Sequence, residues 1–254
     1  MAKKKRKRRR PDRPGSRPGT GTAVAEAAAD DRPSARAARK EQARLERERR
    51  IKQAKRRQRT RRLVRWGVVV AAAGGIGWFV WTQVQENRLL QERAAAAAER
   101  VGIGEVEEPA DEGARHLQPN DAPPQYGTVP AASGPHSPGT LPAEPKVYQQ
   151  PVPEISAVHN LEHGYVLVYY RAQGDGALPE PVVAELEDLV EGESEVIMAP
   201  YEGLPEGTNI AFVAWTRLQS GQVPAGAEPD DVTLVARAFI EEYRNGAAAP
   251  EAEV

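Results

Sequence analysis

A run of sixteen residues without a charged side chain, Trp66 to Trp81, constrains this chain more than any other part of its sequence. With the apolar residues on either side it extends from Leu63 to Val84, which as a helix crosses a hydrocarbon layer of about 30 Å if Arg65 reaches the headgroups. Tryptophans near both ends match the aromatic belts of membrane proteins, and the internal glycines are tolerated better in lipid than in water. Some 65 residues precede the run, which argues against a cleaved signal peptide. We predict one transmembrane helix over residues 63–84.

Charge is divided by this helix. The chain has a net charge of −1, but residues 1–65 carry 26 basic and 7 acidic side chains, a net of +19, and residues 66–254 have a net of −20. Because basic flanks remain on the cytoplasmic side of a membrane, we expect a cytoplasmic N-terminus and a C-terminal half outside the plasma membrane. The lipid bilayer is then the first partner of the chain.

The basic segment before the helix has two interpretations. It binds nucleic acid or anionic lipid, since each Lys or Arg near an anionic leaflet contributes about 1 kcal/mol, or it only fixes the orientation of the helix. Nucleic acid is not expected as a partner, because nuclear localisation of a Lys/Arg run conflicts with a membrane helix. The sequence indicates no particular protein partner.

Composition divides the chain into five parts. Residues 1–62 form a basic tail, disordered at first and then a solvated helix, and residues 63–84 form the transmembrane helix. Residues 85–122 are a helical extension followed by an acidic linker. Residues 123–246 form the extracytoplasmic domain, whose proline-rich lead-in is either linker or a wrapped, ordered loop. Residues 247–254 are a disordered tail.

The folded region alternates strand and helix patterns. Residues 165–170 are apolar on both faces, as in a central strand, and residues 195–199 and 209–218 also have strand patterns. Helical spacing of apolar residues follows Pro179 and Asp230. The order strand, helix, strand, strand, helix predicts an α+β sandwich with a parallel first pair and then a hairpin. The same order closes thioredoxin-like domains, by analogy of fold only.

Histidine is the residue type that carries candidate chemistry. The chain has no cysteine, which excludes disulfides, thiolate zinc sites and thiol nucleophiles. His159 and His163 are four residues apart, so both face the same way on one helical turn with Glu162 beside them. His136 can complete a three-histidine site for Cu or Zn. We predict His136, His159 and His163 as the metal ligands.

Two other interpretations of these histidines remain. His-x-x-Glu-His is also an inverted zinc-protease motif, but that motif needs a continuing helix, whereas here Gly164 ends the turn and a strand starts at Tyr165. Alternatively, the histidines only pack and hydrogen-bond, so that His136 holds the proline-rich loop against the domain.

Several spaced motifs resemble one bacterial family. They are Gly127-Thr-Val-Pro-Ala-Ala-Ser-Gly-Pro-His-Ser-Pro138, Val158-His-Asn-Leu-Glu-His-Gly164, Met198-Ala-Pro-Tyr-Glu-Gly-Leu-Pro205, Ala214-Trp215 and Phe239-Ile-Glu-Glu-Tyr-Arg-Asn-Gly246. Together they resemble the domain-of-unknown-function family numbered 3105. The resemblance implies a single-pass membrane protein with an extracytoplasmic domain whose signature positions are His136, His159, Glu162 and His163. It implies no activity, and it leaves His116 outside the motif and outside the predicted ligand set.

The sequence thus predicts a membrane protein whose external α+β domain binds a transition metal through three histidines. The alternative is a non-catalytic structural or interaction module at the cell envelope. The sequence contains no phosphate-binding glycine loop, no Gly-x-Ser-x-Gly nucleophile motif and no acidic calcium loop, so we assign no catalytic residue and expect no enzyme.

Overall fold

The structure is a computed structural model that describes residues 32–252. Residues 1–31 of the predicted basic tail lie outside this range, as do residues 253–254. Contacts divide the chain into two compact units, residues 1–75 and residues 76–254. The described part of the first unit belongs to helix α1, which spans Arg32–Val101. From residue 36 onward its basic segment is exposed, with ion pairs one turn apart such as Arg44–Glu48, as in a solvated helix.

The uncharged run lies within α1. Within residues 32–252, α1 is the one helix that is long and apolar enough to cross a membrane. Its large apolar side chains are all exposed there, with Trp66 67% and Trp78 68% accessible. A soluble protein rarely leaves an apolar surface of this size uncovered, which is consistent with the predicted span.

The rest of the second unit contains three further helices and four strands. The helices are α2 (Glu154–Glu162), α3 (Glu180–Gly192) and α4 (Pro229–Tyr243). The strands are β1 (Val166–Tyr170), β2 (Val196–Pro200), β3 (Ile210–Ala214) and β4 (Arg217–Gly221). The α+β class is therefore confirmed.

Two details of the predicted order were wrong. The predicted strand over residues 209–218 is two strands, since the chain reverses at Trp215–Thr216, where Thr216 has φ +55°. The sequence has no glycine, proline or asparagine at this turn to mark it. The helix α2, only nine residues long, was missed.

The sheet has the order β2-β1-β3-β4. β1 pairs in parallel with β2, starting at Val166 opposite Val196, and antiparallel with β3, while β3 pairs antiparallel with β4. Every residue of β1 is buried, as its apolar pattern on both faces predicts for a central strand. The predicted hairpin is β3–β4 rather than β2–β3, because β3 crosses to the far side of β1.

A core lies on each face of the sheet. On the first face, α3, α4 and the end of α1 cover alternate strand residues such as Val168 and Phe212. On the second face, α2 and part of the proline-rich segment cover Leu167 and Val213. Ala131, Ala132 and Leu141 of that segment are buried in this second core. The proline-rich lead-in is therefore a wrapped loop, and it lies over α2.

Two segments differ from the predicted linker and tail. The acidic segment after α1 runs along β4, with bridges from Ile103 to Gly221 and from Glu107 to Leu218. At the other end of the domain, Ala249 packs on the second core and the Glu251 amide donates to the Glu162 carbonyl over 3.0 Å. Residues 247–252 thus fold back toward the end of α2.

Candidate metal centre

The histidines come from three segments that the fold brings together. α2 carries His159 and Glu162 three residues apart on one face, and His163 follows as its C-cap. His116 of the acidic segment and His136 of the proline-rich loop form a parallel bridge: the Leu117 amide donates to the His136 carbonyl over 2.7 Å. The bridge thereby places two imidazoles beside the two donors of α2.

Four donor atoms converge at this junction. The Nε2 atoms of His136, His116 and His159 lie 2.9, 3.4 and 3.7 Å from Oε2 of Glu162. All four donor atoms lie within 4.8 Å of one another. Metal bonds of 2.0–2.2 Å place neighbouring ligand atoms about 2.9 Å apart at right angles and about 3.4 Å apart in a tetrahedron. The cluster therefore has the dimensions of a transition-metal site.

Backbone carbonyls fix the tautomers of two imidazoles. Nδ1 of His136 lies 2.7 Å from the Gly134 carbonyl, and Nδ1 of His159 lies 2.8 Å from the Ser137 carbonyl. A carbonyl only accepts, so each Nδ1 carries the hydrogen and each neutral ring directs its Nε2 lone pair toward Glu162. Metal-binding histidines are oriented by this same kind of bond.

When the two rings are neutral, acceptors therefore face one another in a buried place. His136 is fully buried, and Glu162 and His159 are 3% and 6% exposed. A carboxylate oxygen 2.9 Å from an imidazole lone pair is unfavourable unless a proton or a cation lies between them. Burial is the main cause that lowers the pKa of His159, and the neighbouring His136 lowers it further. The lowered pKa favours the neutral ring that a metal requires.

The loop is fastened to α2 by contacts that do not use the imidazole Nε2 atoms. Asn160 accepts a hydrogen bond from the Leu141 amide over 2.7 Å and donates to its carbonyl, and the Glu154 carboxylate accepts from the Ala131 amide. Two glycines permit the tight approach. Gly134 has φ +117° with the Tyr126 ring 3.0 Å from where a Cβ would lie, and Gly164 has φ +86° with Asn245 Oδ1 at 2.5 Å. The site geometry is therefore built into the fold.

The four-donor cluster is not the same set of residues as the three predicted ligands. His136 and His159 lie in the four-donor cluster, but His163 does not. Its Nε2 is 3.1 Å from Nε2 of His159 and belongs to a second group with Glu162 and Glu251. The cluster contains His116, which the predicted ligand set leaves out, and Glu162, which is not among its three histidines.

The missed donors differ in whether the sequence could have revealed them. Glu162 lies one turn after His159, so the helical spacing already placed it on the same face. His116 is twenty residues from His136, and the bridge between two irregular segments leaves no periodic pattern. Its one signal was that all four histidines fall within residues 116–163.

Comparison with known proteins assigns a family but no activity. Residues 117–254 match a family described as protein of unknown function (DUF3105). No protein of curated function and no solved structure matches the chain. The matched range includes His136, His159, Glu162 and His163 and begins one residue after His116. Because it covers more than half of the 254 residues, the chain belongs to the DUF3105 family of proteins of unknown function.

Proposed function

We propose that this chain is a single-pass membrane protein whose extracytoplasmic domain binds one divalent transition-metal ion through His116, His136, His159 and Glu162. The observation that carries the proposal is the convergence of three Nε2 atoms on one carboxylate oxygen, with two of the rings already oriented by carbonyls. The ion replaces repulsion between acceptors with four metal–ligand bonds.

The donor set favours Zn or Cu. Imidazole nitrogens suit Zn, Cu, Ni and Fe, whereas Ca and Mg prefer oxygen ligands alone. Four protein ligands complete a tetrahedron, which is typical of structural rather than catalytic zinc sites. Since one donor comes from the acidic segment, one from the proline-rich loop and two from α2, the ion would join both irregular segments to the domain. We therefore propose a structural role for the ion and no enzymatic activity.

The helix over residues 63–84 supports membrane anchoring, with the basic segment in the cytoplasm and the domain outside. The basis is the charge asymmetry of the two flanks together with the exposed apolar surface of α1. Anionic lipid headgroups are the proposed partner of the basic segment, whose exposed side chains include Lys55, Arg59 and Arg62.

A thioredoxin-like arrangement is the proposed fold. It is supported by a parallel β1–α3–β2 unit followed by the β3–β4 hairpin and α4, with β3 antiparallel to both of its neighbours. The thiol chemistry of thioredoxins does not accompany it, since the chain has no cysteine.

The alternative function is a metal-free module in which the histidines only hold the loop. It is favoured by the bond from the His159 ring of α2 to the Ser137 carbonyl of the loop. In that case His136 carries a second proton and forms a buried ion pair with Glu162. The two functions differ in whether a metal stabilises the protein.

Metal analysis of the purified full-length protein in lipid nanodiscs tests the proposal. We expect one equivalent of Zn or Cu to remain after gel filtration, and we expect Glu162→Gln to lower the affinity about 100-fold or more, beyond the 10–100-fold typical of outer-shell changes. Glu185→Gln is the matched control, because it removes an exposed carboxylate on α3. Wild-type protein that retains no metal and binds none below micromolar concentration would refute the proposal.

A further inference from the structure

A second group of donors lies next to the four-ligand cluster and reaches the surface. Glu162, His163 and Glu251 have donor atoms within 4.8 Å of one another. The side chain of Glu162 is 4% exposed, that of His163 is 35% exposed and that of Glu251 is 57% exposed. The group therefore forms a path of metal ligands from solvent to the buried carboxylate.

The two groups are joined at two points. Glu162 belongs to both, and Nε2 of His163 lies 3.1 Å from Nε2 of His159. Two nitrogens about 3 Å apart fit neighbouring positions on one ion with bonds of 2.0–2.1 Å. An ion held by His163 is therefore already within bonding reach of His159, and it can move inward without losing all its ligands at once.

The outer carboxylate is held in place although it is exposed. The Glu251 amide donates to the Glu162 carbonyl over 3.0 Å, and the Asn245 amide donates to the Gly164 carbonyl over 2.9 Å. Ala249 packs on the second core between these two points. The segment after α4 thus positions Glu251 beside His163, whose Nε2 is 3.7 Å from Oε2 of Glu251.

Charge favours this side of the cluster over its other opening. The His116 side chain is also 42% exposed, but the charges of Arg115 and Asp121 beside it form an ion pair and offset each other, so this opening offers no free carboxylate of that pair. Glu251 instead presents an exposed carboxylate. Within residues 32–252, its ion pair is with the partly exposed His163 ring, and no Lys or Arg pairs with it. A divalent cation is therefore drawn toward Glu251.

We propose that Glu251 and His163 form an outer loading position through which a divalent transition-metal ion passes to the buried His116, His136, His159 and Glu162 site. This inference rests on the metal site proposed above. The two positions hold one ion in succession, because Glu162 belongs to both and the outer position has only His163 and Glu251 of its own.

Stopped-flow mixing of the metal-free, full-length protein in nanodiscs with Cu²⁺ tests this proposal. Quenching of Trp215, whose ring lies 6.2 Å from that of His136, reports arrival at the inner site. The variants are Glu251→Gln, which keeps the backbone bond to Glu162, and His163→Asn, with Glu185→Gln as the control for loss of one exposed carboxylate. Release is measured by adding excess EDTA.

We expect Glu251→Gln and His163→Asn each to slow both uptake and release about 10-fold or more, with one ion still bound at saturation and Glu185→Gln unchanged. Unchanged rates in both variants would overturn the loading position. The loading position would also be overturned if the wild-type protein held two ions and the variants held one, since the outer group would then be a second resident site. Failure of the wild-type protein to bind any ion would instead refute the inner site, and is distinguished by the absence of quenching.

Discussion

Replacing Glu162 by glutamine separates the two explanations of the histidine cluster. The amide has the size of the carboxylate but no charge, and its nitrogen can donate to the Nε2 lone pair of His136, now 2.9 Å from Oε2. If the cluster exists for a metal, the metal-free variant keeps a hydrogen bond at this point and its stability changes by about 1 kcal/mol or less. What it loses is the metal ligand.

The size of the metal effect follows from linkage. At a free metal concentration 100 times the dissociation constant, binding adds about 2.7 kcal/mol to the free energy of unfolding. For a unit the size of residues 76–254, this raises Tm by about 5–11 °C. A 100-fold weaker Glu162→Gln site at the same metal concentration retains about 0.4 kcal/mol, so its Tm rises by only about 1–2 °C.

Thermal unfolding followed by near-ultraviolet circular dichroism, with and without Zn²⁺, measures these shifts. The reasoning is refuted if Zn²⁺ leaves the wild-type Tm unchanged while the metal-free Glu162→Gln protein loses about 3–5 kcal/mol of stability. That loss is typical of breaking a buried ion pair, and it would show that a protonated His136 and Glu162 hold the loop without a metal. Glu185→Gln should match the wild type with and without Zn²⁺.

Three further predictions concern the fold, the orientation and alkaline stability. Gly164→Ala should lower the free energy of unfolding in urea by about 1–2 kcal/mol, since Gly164 has φ +86° and a Cβ would meet Asn245. The control Gly192→Ala, whose Cβ would meet nothing within 4 Å, should be neutral or slightly stabilising. Equal effects of the two substitutions would contradict this. In intact cells a membrane-impermeant maleimide should label Ala225→Cys but not Ala54→Cys. The chain has no cysteine of its own to contribute background. The reverse pattern would reject the proposed orientation. Burial, with Glu154 and Glu112 nearby, raises the pKa of Tyr126 to about 12. The unfolded chain therefore releases this proton at lower pH than the folded protein, and the free energy of unfolding should fall between pH 10 and pH 12. A titration of tyrosine absorbance with a midpoint at pH 10 would contradict this.

Local patterns were sufficient for α3, α4 and β1 on the first face of the sheet, but not for the end of α1, which also covers it. The apolar residues of α3 and α4 recur at helical spacing, and they are the residues that pack on this face. The continuous apolar run of β1 likewise indicated its central position. In these elements, the apolar positions that set the period of the sequence are the positions whose side chains are buried.

The second face could not be predicted in the same way. It is covered largely by a proline-rich loop, whose backbone bonds to α2 and to the rest of the domain have no period. The hydrogen bonds of Asn160 to Leu141 and the bridge of His116 to His136 each join residues about twenty positions apart. The sequence therefore showed that the histidines cluster, but not which of them share a site.

Electron paramagnetic resonance of the Cu²⁺-loaded, full-length protein tests the ligand set most directly. Modulation from the remote imidazole nitrogens counts the histidines bound to the ion. We predict three in the wild type, two in His116→Asn and three in His163→Asn, because His116 lies in the four-donor cluster and His163 lies outside it. A count that stays at three in His116→Asn and falls to two in His163→Asn would contradict the site described here.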